Sequence, residues 1–212
     1  MPNQTEAPVP RLTPKGQATR ERIVRAAADH IFEHGVGGTS IEDVRKAVGV
    51  SGSQMTHYFQ DKRSLVRAVI AYQAESILEF HRAPELGQLD TFAALETWAD
   101  MSVAGQMQRN CTGGCILGSL AGELAETDAC FRDDLADGFD RWENLLSDGL
   151  RTMRDRGDLR PDADPDELAL VLLAAHQGGL LLTQTKRDVA PLSAALTGAL
   201  YYVRSFATAA PD

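Results

Sequence analysis

The sequence has few of the residues that would place the protein outside the cell. It contains three cysteines, Cys111, Cys115 and Cys130, and only 6% aromatic residues in 212. Three cysteines are too few for the disulfide framework of a small secreted protein. The first residues, "MPNQTEAPVPRLTPKGQ", also lack the apolar core of a secretory signal. These features predict a cytoplasmic location.

Long hydrophobic runs and catalytic motifs are also missing. The longest apolar run, "LALVLLAA" at 168–175, is far shorter than the ~20 residues that span a bilayer, so we expect no contact with a membrane. The sequence has no phosphate-binding loop and no Ser-His-acid order. We therefore expect neither an enzyme nor a cofactor or metal site.

Positive charge is scarce and unevenly distributed along the chain. The formal net charge is −9, yet residues 1–82 hold 11 Lys and Arg against 9 Asp and Glu. Residues 83–212 hold 10 against 21. Only the first part can approach nucleic acid without strong repulsion, and the acidic remainder keeps the rest of the protein off the duplex.

Apolar residues recur with helical spacing along the chain, and strand-like alternation is absent. This periodicity predicts an all-α fold of about nine helices. Residues 1–16, which contain four prolines, are predicted to form a mobile arm. The predicted helices cover 17–34, 41–48, 52–58 and 62–81, followed by segments near 88–108, 115–126, 128–156, 165–186 and 190–208.

The second and third predicted helices are joined by the tight segment "GVS", a pattern typical of a helix-turn-helix unit. Gly49 ends the first of these helices and Ser51 caps the second. Val50, Met55 and Phe59 are predicted to face the core, which leaves an uncharged polar arc outside. Such an arc lets the backbone approach a DNA groove closely.

The polar residues of this unit have distinct predicted roles. Gln54 can form two hydrogen bonds to an adenine edge. Lys62 can contact a phosphate, as can Thr39 and Ser40 at the start of the preceding helix. The residues predicted to bind DNA are Thr39, Ser40, Ser51, Ser53, Gln54, Thr56, His57, Tyr58 and Lys62.

The stretches "RERIVRAAADHIFEHGVGGTSIEDVRKAVGVS" and "HYFQDKRSLVRAVI" carry a family resemblance. Over residues 17–80 the chain resembles the DNA-binding domain of the TetR (tetracycline repressor) family of transcriptional regulators. The resemblance implies a homodimeric repressor that binds a double-stranded DNA operator and is released by a small-molecule inducer. The expected domains are the helix-turn-helix at 17–62, a connecting helix at 63–82, and a ligand-binding and dimerisation domain at 83–212.

The segment "GCILGSLAGELAE" at 114–126 resembles one subgroup of that family, the repressors of antibiotic- and multidrug-resistance operons. This second resemblance implies a small, largely apolar inducer. Apolar and aromatic residues of the middle helices are the candidates for its pocket. They are Trp98, Met101, Leu117, Leu120, Leu124, Phe139, Trp142 and His176.

The last two predicted helices carry a candidate dimer face. The segment "ALVLLAAHQGGLLLTQ" is apolar on nearly every side, and Gly178 and Gly179 permit close helix approach. Two such helices from each chain can form a four-helix bundle. The alternative is a core buried within one chain.

Two alternatives stay open for the function. Cys111 and Cys115 flank "TGG" and can act as an oxidation- or electrophile-sensitive trigger of the same DNA-binding output. A helical enzyme or interaction module without DNA binding is the lower alternative, and the helix-turn-helix pattern disfavours it.

Overall fold

The computed structural model describes residues 12–208, so residues 1–11 of the predicted arm lie outside the described part. The first helix begins at Pro14, three residues earlier than predicted. The Thr13 hydroxyl accepts a hydrogen bond from the Gly16 N–H at 3.2 Å and caps this helix. Proline suits the first turn because no N–H is needed there.

Nine α-helices form between residues 12 and 208, as the periodicity predicts, and the all-α prediction is confirmed. They are α1 (Pro14–His34), α2 (Ile41–Val48), α3 (Gly52–Tyr58), α4 (Lys62–His81), α5 (Phe92–Gln108), α6 (Ile116–Leu124), α7 (Ala129–Arg156), α8 (Pro165–Lys186) and α9 (Ala190–Arg204). A short 3-10 helix covers Pro84–Leu86.

The chain divides into two compact units, residues 1–69 and 70–212, and the division falls inside α4. In the first unit, α1 buries one apolar stripe and packs on α2. Val50, Met55 and Phe59 are buried as predicted, which fixes which side of α3 faces outward. The buried apolar side chains are Ile23, Val24, Ala27, Ala28, Ile31, Val36, Val44, Val50, Met55, Phe59, Leu65, Val66 and Val69.

In the second unit, α8 lies between α7 and α9 and packs on both. Helix α9 ends at Arg204, four residues before the predicted end, because the chain there pairs with the α7–α8 connection. The Arg160 N–H donates to the Phe206 carbonyl at 2.8 Å, and Leu159 and Ala207 form an antiparallel bridge.

Among the described helices, α8 alone is long and apolar enough to cross a membrane by length and composition. Its mean hydropathy over an 18-residue window is 1.3, and 44% of that window is buried inside the chain. The prediction from run length missed this feature because polar residues such as His176 and Gln177 interrupt the run. A core helix has the same composition, and Leu168, Leu172 and Leu180 are buried in the second unit.

Candidate functional site

Two capping boxes hold the helix-turn-helix unit in place. The Ser40 hydroxyl accepts from the Asp43 N–H at 3.1 Å, and the Asp43 carboxylate accepts from the Ser40 N–H at 3.2 Å. The same reciprocal arrangement joins Ser51 and Gln54 at the start of α3. Hydrogen bonds from the Ser40 side chain and backbone lower the pKa of Asp43. Each box satisfies N–H groups that a helix start would otherwise leave unpaired.

The outward side of α3 is polar, exposed and uncharged when its histidine is neutral. Ser53, Gln54, Thr56 and His57 are all exposed. The Thr56 hydroxyl donates to the Gly52 carbonyl at 3.0 Å, and the Ser51 and Ser53 hydroxyl oxygens lie 3.0 Å apart. Short side chains of this kind let a helix approach the floor of the major groove.

Two of the residues predicted to bind DNA, Thr39 and Gln54, make hydrogen bonds within the chain. Thr39 is only 4% exposed, and its hydroxyl donates to the Gly35 carbonyl at 2.8 Å. The Thr39 side chain is therefore turned inward and Ser40 is the exposed cap, so a phosphate contact at Thr39 stays a prediction. The Gln54 amide oxygen accepts from the Ser51 N–H at 3.0 Å, so this side chain is already used as a cap. Its amide nitrogen stays free to donate to a base, and the two-bond contact with adenine stays a prediction.

Tyr58 and Lys62 lie at the end of α3 and the start of α4, and both are half-buried. The Tyr58 ring meets the His57 ring edge-on, with centroids 5.0 Å apart. The Tyr58 hydroxyl lies beside Gly16, 3.6 Å from the position that a Cβ would take there. These positions leave a phosphate contact from either side chain as a prediction.

Two arginines, Arg45 and Arg20, make contacts within the helix-turn-helix unit that the sequence pattern did not reveal. The Arg45 guanidinium donates to the Val50 carbonyl at 3.0 Å and pairs with Glu42 at 2.6 Å. This ties α2 to the turn before α3. The Arg20 guanidinium lies 5.2 Å from the centre of the Phe59 ring, within cation–π range. The i, i+3 spacing of Glu42 and Arg45 is the one sequence signal for these contacts, and it points to their ion pair.

In the second unit, both tryptophans donate to one histidine at the end of α4. The indole N–H groups of Trp98 and Trp142 each lie 2.9 Å from His81 Nε2. The His81 Nδ1 lies 2.7 Å from the Ile77 carbonyl and donates to it, which leaves Nε2 as the acceptor. Burial lowers the pKa of His81, so the neutral ring is favoured. No motif in the sequence pointed to a role for His81.

His176 joins this cluster from α8. Its ring centre lies 5.3 Å from that of Trp98 and 5.2 Å from that of Trp142. Burial, and the nearby His81, lower the pKa of His176 to about 3. Its Nδ1 is buried without a hydrogen-bond partner. Three of the predicted pocket residues therefore form one aromatic cluster.

The remaining candidate pocket residues are divided between two places. Met101 and Phe139 are half-buried against the core that contains Trp98 and Trp142. Leu117, Leu120 and Leu124 are buried on α6 and lie outside that core cluster. An open cavity of about 420 Å³ lies between α5 and α9, and none of the predicted ligand residues lines it.

Cys111 and Cys115 lie in the loop that joins α5 to α6, and neither forms a disulfide. Cys111 is buried, and its carbonyl accepts from the Arg187 guanidinium at 3.0 Å. The Cys115 thiol accepts from the Gly118 N–H and caps α6. Burial raises the pKa of the Cys115 thiol, which opposes formation of the reactive thiolate.

Comparison with known proteins gives the same division of the chain. A family model described as "Bacterial regulatory proteins, tetR family" matches residues 23–69, and one described as "Tetracyclin repressor-like, C-terminal domain" matches residues 91–199. The transcriptional regulator AcuR of Cereibacter sphaeroides is 26% identical over 184 residues, covering 86% of this chain and 84% of that protein.

Two further relatives agree with these matches. The HTH-type transcriptional repressor DhaR of a Mycobacterium species is 26% identical over 186 residues, covering 84% of this chain and 88% of that protein. The crystal structure of a TetR transcriptional regulator from Chloroflexus aurantiacus superposes with a TM-score of 0.80 at 28% identity. That match covers 93% of this chain and all of the other.

Proposed function

The chain belongs to the TetR family of bacterial transcriptional regulators, and from this premise we propose that it is a homodimeric repressor released from its operator by a small, largely apolar ligand. That it is a DNA-binding transcriptional repressor rather than an enzyme follows from the family. Binding to the chromosome implies a cytoplasmic protein. The trigger, the dimer and the contact residues are our proposals.

The observation that carries the proposed trigger is the position of His81. Helix α4 starts at Lys62, next to the helix-turn-helix, and continues without interruption to His81. There, the indoles of Trp98 on α5 and Trp142 on α7 both donate to the His81 ring. A ligand that displaces either indole removes a hydrogen bond to α4.

Release then follows from a shift between two conformations. In the operator-bound dimer the two α3 helices must enter successive major grooves about 34 Å apart. A ligand that binds the other conformation more tightly shifts the population away from this spacing. Helix α4 is the covalent element through which such a shift reaches the helix-turn-helix.

The operator contacts that we propose follow the exposed polar face of α3. Ser53, Thr56 and His57 face the groove, and the Gln54 amide nitrogen donates to a base edge. Ser40 and Lys62 contact phosphates, since they lie at the starts of α2 and α4. Because few positive charges take part, the salt dependence of binding is modest.

The proposed dimer uses the exposed apolar faces of α8 and α9. Leu170, Leu181 and Leu182 on α8 and Tyr201 on α9 are large apolar or aromatic side chains left exposed in the single chain. Exposed apolar patches of this kind mark interaction surfaces. The same faces on a second copy complete a four-helix bundle.

A gel-shift experiment with the DNA upstream of the protein's own gene tests the proposal. The protein should retard this DNA at low salt, and a panel of small apolar compounds should contain one that releases it. Trp98→Phe, which keeps an aromatic side chain but loses the indole N–H, should weaken operator binding without any ligand. Ser76→Ala is the matched control, because it removes a hydrogen bond within α4 alone.

Failure of the protein to retard its upstream DNA at low salt would count against repression of its own operon. Equal operator affinity in Trp98→Phe and the parent protein would count against the role of His81.

A further inference from the structure

Two histidines lie one turn apart at the end of α1, where the sequence reads "HIFEH" from residue 30 to residue 34. The ring centres of His30 and His34 lie 4.5 Å apart. Side chains four residues apart on a helix share a face, and two histidines at this spacing bind zinc on the helices of metalloproteases. The prediction that the chain has no metal site overlooked this pair.

Hydrogen bonds of the loop after α1 fix the tautomer of the neutral His30 ring. The Thr39 hydroxyl donates its hydrogen to the Gly35 carbonyl at 2.8 Å, so its oxygen accepts from His30 Nδ1, which lies 3.3 Å away. Nδ1 therefore carries the hydrogen, and Nε2 keeps the lone pair that a metal ion requires. Histidines that bind metals commonly have this arrangement, in which the other ring nitrogen donates to a neighbour.

The electrostatic surroundings of the pair favour a cation. Both histidines lie in the last turns of α1, where the helix dipole is negative. His34 Nε2 also lies 3.6 Å from the Glu33 carboxylate, which adds a full negative charge. Because the His34 side chain is 51% exposed, an ion can reach the pair from solvent and keep part of its water.

The number and type of the ligands limit which ions this pair can bind. Between residues 12 and 208, no group of three or more His, Cys, Asp or Glu side chains is placed to hold a metal ion. Water must therefore fill the other coordination positions, as it does at metal sites with an open position. Imidazole nitrogen suits Cu²⁺, Ni²⁺ and Zn²⁺, whereas Mg²⁺ and Ca²⁺ prefer oxygen ligands.

We propose that His30 and His34 bind one divalent first-row transition-metal ion, and that this ion stabilises the junction between α1 and α2. The His30 ring is bonded to Thr39, and Thr39 directly precedes Ser40, the cap of α2. An ion on the pair therefore connects the end of α1 to the start of α2. The inference goes beyond the proposed function, because neither histidine takes part in the proposed operator contacts or in the trigger.

Calorimetric titration and thermal unfolding of the full-length protein, carrying no histidine tag, test the site. Ni²⁺ is the probe because imidazole binds it well, and Mg²⁺ is the control ion of equal charge. Ni²⁺ should bind with a stoichiometry of one ion per chain and raise the melting temperature, because it binds the folded pair more tightly than the unfolded chain. Mg²⁺ at the same concentration should do neither.

Variants separate the two ligands from their surroundings. His34→Gln and His30→Gln each remove one of two protein ligands, so each should weaken Ni²⁺ binding by about tenfold or more. His34→Gln, at an exposed position, should leave the metal-free melting temperature unchanged. Thr39→Val keeps both ligands but removes the partner of His30 Nδ1, and should weaken Ni²⁺ binding about tenfold. Asp29→Asn, which removes an exposed carboxylate beside His30, is the matched control and should bind Ni²⁺ like the parent protein.

Three results would overturn the inference: no Ni²⁺ binding, an equal response to Mg²⁺, or unchanged Ni²⁺ affinity in both histidine variants. A decrease in Asp29→Asn as large as that in His34→Gln would show that the acidic surface attracts cations without a site. Unchanged Ni²⁺ affinity in Thr39→Val would contradict the tautomer assigned to His30.

Discussion

Among single residues, the buried histidines of the second unit are expected to make stability depend on pH. His81 accepts two indole N–H groups on one nitrogen and can do so only when neutral. His176 lies between the same two rings with one unpaired nitrogen. The folded state therefore resists protonation at both sites, while the unfolded chain does not.

This difference predicts a loss of stability on mild acidification. The folded pKa of both histidines is lowered, that of His176 to about 3, so the unfolded chain binds protons first as the pH falls. Their stabilising contribution is complete above the unfolded pKa of about 6.5 and is lost below it, by up to about 1.4 kcal/mol per pH unit for each histidine. Urea unfolding between about pH 7.5 and 5 measures the slope.

Replacement of His176 tests the assignment of this slope. His176→Phe, with His176→Leu as a second variant, should make stability less dependent on pH in that range. The pKa values of Asp43, Asp61 and Glu75 are lowered in the folded protein. The stability that these carboxylates contribute is therefore lost only at lower pH, so they do not produce this slope. An unchanged slope in both variants would contradict the assignment.

Lys62 carries a second residue-scale prediction, for the operator contact. Lys62→Ala should weaken binding to operator and to unrelated DNA by the same factor, because a phosphate contact carries no sequence information. The salt slope should fall by about 0.9 for each phosphate that is no longer neutralised. Lys186→Ala, which removes the same charge at the end of α8, is the control. If Lys62→Ala weakened binding to the operator more than binding to unrelated DNA, Lys62 would instead contact a base.

The cysteines carry a third prediction, which concerns the alternative trigger. Because burial raises the pKa of Cys115, hydrogen peroxide should not release the operator. The double variant Cys111→Ser, Cys115→Ser should bind and release DNA like the parent protein. Peroxide release of the parent protein but not of the double variant, followed by gel shift, would restore the thiol hypothesis.

At the scale of whole helices, cap residues and helix breakers allow the ends of several helices to be predicted from the sequence. Gly49 and Ser51 set the end of α2 and the start of α3 as predicted, and Ser40 rather than Thr39 caps the start of α2, because each cap acts on its own turn. The predicted start of α1 is late because the prolines up to Pro14 indicate a mobile arm, whereas Pro14 occupies the first turn of the helix. The end of α9 depends on pairing with residues about 50 positions away, which no local pattern reveals.

Side-chain partners at the candidate sites were harder to predict than helices. His81 is 17 residues from Trp98 and 61 from Trp142, so their shared hydrogen bonds depend on the tertiary fold. Thr39 has the composition of a helix cap, yet the neighbouring Ser40 takes that position and Thr39 turns inward. Gln54 was predicted to read a base, and its capping contact became visible only with the backbone in place.

The packing of α7 gives an element-scale prediction at Gly149. A Cβ there would lie 2.5 Å from the Leu89 carbonyl oxygen and 2.7 Å from that of Gln88. Both are backbone atoms, so Gly149→Ala should force the segment before α5 away from α7 and cost about 1–3 kcal/mol. Urea unfolding measures this destabilisation. Gly122→Ala, in α6 where a Cβ meets no described atom within 4 Å, should be neutral or slightly stabilising.

Over the whole molecule, the acidic charge and the proposed DNA-binding face are separated along the chain. The acidic charge lies mainly beyond residue 82, while the polar face of α3 and the capped start of α2 lie before it. Electrostatic attraction is therefore weak, and one helix-turn-helix with so few cations gives little affinity. Two linked copies raise the apparent affinity, because binding of the second becomes intramolecular.

The apolar face of α8 should therefore control both assembly and operator binding. Leu181 is 59% exposed in the single chain, and a charge there would be buried unpaired in the proposed bundle. Leu181→Glu should give a monomer by light scattering and lower operator affinity by about 10²-fold or more. Met107→Glu, at a 60% exposed residue on α5, should remain dimeric and bind normally. A dimeric Leu181→Glu protein with full operator affinity would show that the copies associate through another surface, and the two α3 helices would then need a different geometry to reach successive grooves.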